Sequence, residues 1–295
     1  MITKLSRRFY IVIKLEMQPL NYYSNIKTRY CIQCLKQLRS SPFKTDSDYK
    51  VQKMSNNPVN VLCMKWGTKY SPEYVNTLYA MVDRNLSRPF RFVCLTDDPD
   101  GLNTMIETFP IPELSINLKG PERGWNKLAV FSKPLYDLSG TVLCLDLDLI
   151  VTGPLDELFD HPGDVLIIKD WLKRDGTGNS SVYRFEVGAH VDILDRFQNS
   201  FDRTKQIHRN EQEFLSAALL EKKALSYWPD SWCKSFKRHC IKPFSFILAR
   251  ETLIPDDARI IVFHGKPDPH EAMAGKSGKW YRHFKPATWI REYWR

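Results

Sequence analysis

Nine residues, Thr141-Val142-Leu143-Cys144-Leu145-Asp146-Leu147-Asp148-Leu149, constrain the fold of this chain more than any other stretch. The first five form its most strand-like run, and two carboxylates follow close behind. In an open α/β sheet, ligands bind beyond the carboxyl ends of the strands. Residues i and i+2 of an extended segment point to the same side, so Asp146 and Asp148 can face one ligand. No lysine or arginine stands near them in sequence, and two neighbouring carboxylates repel unless a cation lies between them. Hard oxygen donors favour Mg²⁺ or Mn²⁺, ions that keep open positions for substrate phosphates. The plainer reading is a pair of solvated acids. The apolar strand and the place of the pair at its end favour metal and phosphate.

Around this strand, short apolar runs alternate with helical patterns, the signal for an α/β sheet. Residues 59–64 read as a buried strand. Ser71-Pro72 supplies a helix start, and Val75, Leu78, Tyr79, Val82 and Leu86 follow at helical spacing until Arg88-Pro89. Residues 90–95 form a second strand, closed by the turn cluster Thr96-Asp97-Asp98-Pro99-Asp100-Gly101. A strand at 105–109 and a short helix at 126–131 precede the acidic pair. Strands at 165–168, 182–185 and 259–263 and helices at 191–198 and 211–221 come after it. The last 30 residues, rich in Gly, Pro, Lys and Trp, read as a loop-built segment. With no internal repeat and no linker after residue 58, residues 58–295 read as one domain.

Among 295 residues, 43% hydrophobic and 26% charged side chains exclude a disordered or fibrous protein. No apolar run approaches the roughly 18 residues that span a bilayer. The formal charge of +9 is unevenly placed. Residues 1–53 hold eleven Lys/Arg and three Asp/Glu, whereas the remainder holds 32 basic and 31 acidic side chains. The nearly neutral body argues against a nucleic-acid partner. Residues 1–57 read as a basic, poorly ordered extension, with a basic arm for nucleic acid or anionic membrane lipid and a transit peptide as the other readings. Its longest apolar stretch, 9–13, is too short for a secretory signal, and Met54 is a second candidate start. Seven cysteines, with Cys63, Cys94 and Cys144 in apolar runs, suit reduced thiols in a cytoplasmic protein. Cys31 and Cys34 lack the second half of a zinc site.

Two enzyme classes place Asp-x-Asp after an apolar strand. The haloacid dehalogenase-like phosphohydrolases use the first Asp as nucleophile, and their motif normally opens the domain. Here roughly ninety residues of α/β pattern come first, which favours the other class, the metal-dependent glycosyltransferases. Over residues 59–265 the chain resembles the retaining glycosyltransferases of family 8 and their bacterial relatives. The resemblance rests on Val59-Asn60-Val61-Leu62-Cys63-Met64-Lys65-Trp66-Gly67, Thr96-Asp97-Asp98 and Asn126-Lys127-Leu128. It is extended by Asn179-Ser180-Ser181-Val182, Asn210-Glu211-Gln212-Glu213 and Val262-Phe263-His264-Gly265-Lys266-Pro267, in the family's order. Two features depart from the pattern. Glu211 and Glu213 replace aspartates, and the segment after His264 is more compact than the family's.

The resemblance implies a GT-A fold, Rossmann-like, with a central mixed sheet flanked by helices in a single domain. It implies a nucleotide-diphosphate donor, UDP-linked, and an acceptor that is a glycan or lipid-linked, with retention at the transferred sugar. Asp146, Asp148 and His264 would hold the metal, and the histidine favours Mn²⁺ over Mg²⁺. Trp66, Asp97, Lys127, Asn179 and Lys266 would bind the donor. Gln212, Glu211 and Asp170 would stand nearest the reacting carbon and the sugar hydroxyls.

Overall fold

The structure, a computed structural model, describes residues 58–242, 251–278 and 283–295. The proposed basic extension and Cys31/Cys34 lie outside them. Residue by residue, the apolar runs become strands: β1 (Val59–Lys65), β2 (Phe90–Thr96), β3 (Glu107–Phe109), β4 (Thr141–Leu145) and β5 (Leu149–Val151). Then follow β6 (Val165–Lys169), β7 (Gly178–Glu186), β8 (Leu225–Tyr227), β9 (Cys233–Ser235) and β10 (Ile260–Val262). Seven of them form one sheet in the order β3-β2-β1-β4-β7-β6-β8. β1 pairs in parallel with β2 and β4, while β7 runs antiparallel to β4 and β6. A smaller sheet has the order β5-β10-β9. The chain moves outward from β1 to β3 and returns on the other side of β1 as β4. That reversal opens a crevice at the carboxyl ends of β1 and β4, where sheets of this kind bind ligands.

Alternating residues of the strands feed two cores. On one face Val61, Cys63, Phe92, Cys94, Leu143 and Leu145 pack with helix α1 (Pro72–Asn85). On the other, Leu62, Val93, Leu95, Val142 and Cys144 meet a 3₁₀ helix (Gly120–Phe131) and helices α3 (Val191–Asn199) and α5 (Glu211–Glu221). Burying each Leu, Val or Phe contributes about 1.5–3 kcal/mol, so strands apolar on both faces belong in the middle of the sheet. Helices α2 (Asp156–Asp160) and α4 (Phe201–Ile207) complete the layers. The described cysteines 63, 94, 144, 233 and 240 are buried free thiols. No described helix is long and apolar enough to cross a membrane.

Two expectations are corrected, and a third holds in position only. The helix at 126–131 is a twelve-residue 3₁₀ element beginning at Gly120, and its Trp125, Leu128 and Phe131 are buried at a spacing of three. Side chains at i and i+3 eclipse in that geometry, so this spacing puts all three on one edge. Ser71 stands at the N-cap of α1, but its side chain makes no capping bond. The C-terminal segment is not all loop: it contains α6 (Pro269–Met273) and α7 (Ile290–Tyr293). Asp268 and Glu271 form a reciprocal capping box at α6, a signal present in the sequence as Asp-x-x-Glu.

Candidate active site

The crevice holds a cavity of about 310 Å³ walled by the ends of β1, β4, β7 and β10 and the start of α5. Beyond β1 the chain turns at Gly67, whose φ of +61° suits glycine. The Gly67 N–H donates to both Asp97 oxygens (3.1 and 3.0 Å), and Arg123 donates to one of them (3.1 Å). Burial would push the Asp97 carboxyl up, but these donors outweigh it and hold it below its ordinary value. Asp97 therefore braces the turn that carries Trp66 into the cavity wall.

After β4, the Asp146 N–H donates to the Ser181 carbonyl (2.9 Å) and the Phe263 N–H to the Asp148 carbonyl (3.2 Å). Both acids line the cavity. Their expected lack of a basic neighbour is overturned. The fold brings Lys127 from the 3₁₀ helix, nineteen residues away in sequence, onto Asp146 Oδ1, and its ammonium also lies 4.0 Å from Glu211. Burial would lower the Lys127 ammonium, but Asp146 and Glu211 outweigh it and hold it above its ordinary value. Tyr70 donates its hydroxyl to Asp148 Oδ2 (2.7 Å). Even so, burial and the charge of Asp146 push the Asp148 carboxyl up to about 6.

The β7 wall owes its shape to a bulge. The β6–β7 register shifts between Ile167 and Ile168, so that Asn179 lies opposite Ile168. Gln212 Oε1 is 3.5 Å from Asn179 Nδ2 and 3.4 Å from the Ser180 nitrogen, and the Ser180 hydroxyl donates to Glu211 (3.0 Å). Helix α5 starts where Asn210 accepts from the Glu213 N–H (3.1 Å), which sets Glu211 and Gln212 at its first turn, facing β7. Opposite them stands His264, just past β10. Its Nε2 is 2.7 Å from Ser235 Oγ, and its ring stacks on Trp171 at 5.4 Å.

Eight of the residues singled out in the sequence thus share one cavity: Trp66, Lys127, Asp146, Asp148, Asn179, Glu211, Gln212 and His264. Three do not line it. Asp97 is the turn brace. Lys266 is 58% exposed and pairs with Asp268 (3.0 Å) and Glu271 (2.7 Å). The left-handed Gly265 (φ +69°) turns the chain directly after His264, and Lys266 lands on the capping box of α6. Asp170 accepts the Leu172 and Lys173 N–H groups (2.7 and 3.0 Å) and borders a second cavity of about 240 Å³, with Trp171, Trp228 and His239. Ser180 and Ser181 enter with the motif of Asn179, whereas Tyr70 and Ser235 were not foreseen. Hydroxyl residues carry no spacing signal, and their roles arise from tertiary contacts.

Two carboxylates and an imidazole on one cavity are, in kind, a donor set for a hard divalent cation. The raised carboxyl of Asp148 reflects its burial first and the neighbouring charge of Asp146 second. As placed, each donor has a protein partner: Lys127 for Asp146, Tyr70 for Asp148 and Ser235 for His264. No three His, Cys, Asp or Glu side chains among the described residues converge to share an ion. Binding one would require a contact to yield.

A seven-stranded mixed sheet flanked by helices, with its crevice at the β1/β4 reversal, is the GT-A glycosyltransferase fold, as expected from the sequence. Solved structures carry that likeness. LgtC, a galactosyltransferase in complex with donor and acceptor sugar analogs, matches with a TM-score of 0.54 and 14% identity over 79% of this chain and 94% of its own. A Gln-to-Glu active-site mutant of LgtC matches with a TM-score of 0.51 and 13% identity over the same shares. The apo-form glycosyltransferase GlyE of Streptococcus pneumoniae TIGR4 matches at 0.53 and 14%, over 81% of this chain and 60% of its own. No protein-family model and no curated protein matches the sequence.

Proposed function

We propose that this chain is a glycosyltransferase that moves a sugar from a nucleotide diphosphate, a UDP-sugar, to a glycan or lipid-linked acceptor, with retention. The observation that carries the reading is the gathering of Asp146, Asp148, Lys127, Gln212 and His264 around one cavity at the β1/β4 crevice of a GT-A fold. Asp146, Asp148 and His264 would hold a divalent cation, Mn²⁺ before Mg²⁺ because of the imidazole. Such an ion supplies Lewis-acid stabilisation of the departing diphosphate.

The chain's own residues do the rest. Trp66 offers a ring for the nucleobase, and Asp97 keeps its turn rigid. Lys127 adds a fixed positive charge beside the leaving group, in a half-buried setting where it counts for more than in water. Asn179 and Gln212 present amide groups to the transferred sugar. The second cavity, with Asp170, Trp171 and Trp228, is the acceptor side, since aromatic faces with carboxylates suit a saccharide. As the bond from the anomeric carbon to the diphosphate breaks, the acceptor oxygen would bond to that carbon on the same face, and its proton would pass to the departing diphosphate oxygen. No strong protein nucleophile is then needed. Nothing in the fold favours the phosphohydrolase alternative.

The test is incubation with UDP-sugars and Mn²⁺, scored by free UDP. UDP release is expected, and Asp146→Asn and Asp148→Asn should each lower it at least about a hundredfold, the scale of losing one electrostatic contact to the transition state. Full-rate transfer by the double variant would overturn the reading. So would release of phosphate from phosphomonoesters with no action on nucleotide sugars.

A further inference from the structure

His239 stands in the wall of the second cavity. It comes from a single π turn, Phe236–Cys240, directly after β9, a distortion found frequently at functional sites. The turn brings the imidazole back onto the strand, where the N–H of the fully buried Ser235 donates to Nδ1 (2.9 Å). That bond takes the Nδ1 lone pair, so the ring proton sits on Nε2. Burial, and after it the charge of Lys234, holds the imidazole below its ordinary value, which keeps the ring neutral at physiological pH. Nε2 has no partner among the described residues, yet it is not sealed off. Among the described side chains, only the indole nitrogens of Trp289 and Trp294 are buried without a partner. The half-buried ring thus leaves an uncharged N–H donor accessible, and it does so at a cavity wall.

The rest of that wall narrows what such a donor can serve. Trp171 meets His239 edge-on at 5.9 Å and stacks on His264 of the first cavity at 5.4 Å, so the two cavities meet at one stacked pair. Asp170 takes both of its backbone bonds on Oδ1, which leaves Oδ2 to accept from a ligand. Asp230 adds a second carboxylate, and Lys169 and Lys234 supply two ammonium groups, so the wall carries no net charge. Carboxylates only accept and ammonium groups only donate, whereas a sugar hydroxyl does both. We propose that His239 binds the acceptor sugar: its Nε2–H donates to an oxygen of an uncharged sugar ring seated in the second cavity. The inference rests on the reading of that cavity as the acceptor side, and adds to it the class of sugar and the fixed donor that orients it. A neutral imidazole serves this purpose better than a third lysine would, because it aims one hydrogen bond without drawing acidic sugars.

The experiment titrates the full chain, ¹⁵N-labelled at histidine, with glucose, galactose, N-acetylglucosamine and glucuronate at about pH 8, above the ordinary imidazole value. The imidazole resonances of His239 are assigned by their loss in His239→Asn, and saturation-transfer NMR gives the affinities. The wild type is expected to carry its ring proton on Nε2 and to shift that signal on binding. It should bind at least one of the three neutral sugars more tightly than glucuronate. His239→Asn keeps an oxygen for the Ser235 N–H but withdraws the donor from the cavity. It should weaken the best neutral sugar about 3- to 10-fold, the scale of one neutral hydrogen bond. His239→Gln gives up the tether but can place an amide N–H where Nε2 stood, and should restore the affinity. A wild-type ring protonated on Nδ1 overturns the assignment on its own, as does tighter binding of glucuronate. Equal loss in both variants, or loss in His239→Gln alone, assigns the effect to the tether and overturns it too. Trp171→Ala separates this inference from the reading beneath it. If Trp171→Ala binds the sugar as the wild type does, or no sugar binds the wild type, the second cavity is not the acceptor side and the role of His239 falls with it. If Trp171→Ala loses the sugar and His239→Asn keeps it, only the role of His239 is lost.

Discussion

Glu213 lies one residue past Gln212, and its carboxylate ties two loops to helix α5. Oε1 accepts from Lys173 Nζ and from Arg209 Nε, both at 2.7 Å, and Oε2 from the Arg209 N–H (2.8 Å). Its side chain is only 10% exposed. Burial would raise the carboxyl, but Lys173 and Arg209 prevail and hold it at about 2. A carboxyl whose folded value is depressed contributes stability that is fully present above the unfolded value, about 4.3, and lost as pH falls toward the folded one. The unfolding free energy of the wild type should therefore drop between pH 5 and pH 2 by about 1–2 kcal/mol more than that of Glu213→Gln. Urea unfolding across that range checks it, and parallel curves for the two proteins would remove the ion pairs from the account. The sequence reading saw Glu213 as one member of a motif. Its structural task depends on Lys173, forty residues away, which no local pattern reveals.

Among the elements, the strand ending in Asp146 and Asp148 was legible because its signal is local: an apolar run, then two acids. The same holds for β1, β2 and α5, whose expected bounds match the observed ones within a residue or so. The short strands β5, β8 and β9 were not singled out in the sequence, although β3 and β10, of the same three-residue length, were. The β6–β7 bulge was equally hidden, yet it decides how Asn179 reaches the cavity. Gly178 sits at that bulge, where a Cβ would lie 2.6 Å from Ile167 Cγ2 and 2.8 Å from Cδ1. Its φ is not in the left-handed region, so the demand for glycine here is steric. Gly178→Ala should cost about 1–3 kcal/mol, the usual range for overpacking a closed site. Ile167→Ala alone should cost about 2–5 kcal/mol through the space it leaves. Together they should cost less than the sum, because each relieves the other. A double-mutant cycle by denaturant unfolding measures the coupling. Strict additivity would mean that the strands part easily at this point and that the close approach does not set the position of Asn179.

At the scale of the whole molecule, charge divides the chain more sharply than composition does. The first 53 residues carry a net +8 and the remainder a net +1, while every residue lining the cavity lies within residues 64–265. If donor binding belongs to the crevice, its free energy has to be independent of the basic extension. A ligand that binds only the folded state stabilises it by mass action, about 2.7 kcal/mol at a hundred times its dissociation constant. For a domain of this size that amounts to a rise in melting temperature of about 5–10 °C. UDP with Mn²⁺ should therefore raise the melting temperature of the full chain and of a chain beginning at Met54 by the same amount. Screening explains why salt separates the two regions. Charges open to solvent lose most of their reach above about 0.15 M salt, where the Debye length falls to about 8 Å. Half-buried groups such as Lys127 and Asp146 are shielded less. The melting shift should accordingly persist at 0.5 M salt in both chains, whereas any binding of the full chain to anionic vesicles should vanish there. A shift that disappears when residues 1–53 are removed would move donor recognition out of the crevice and onto the extension.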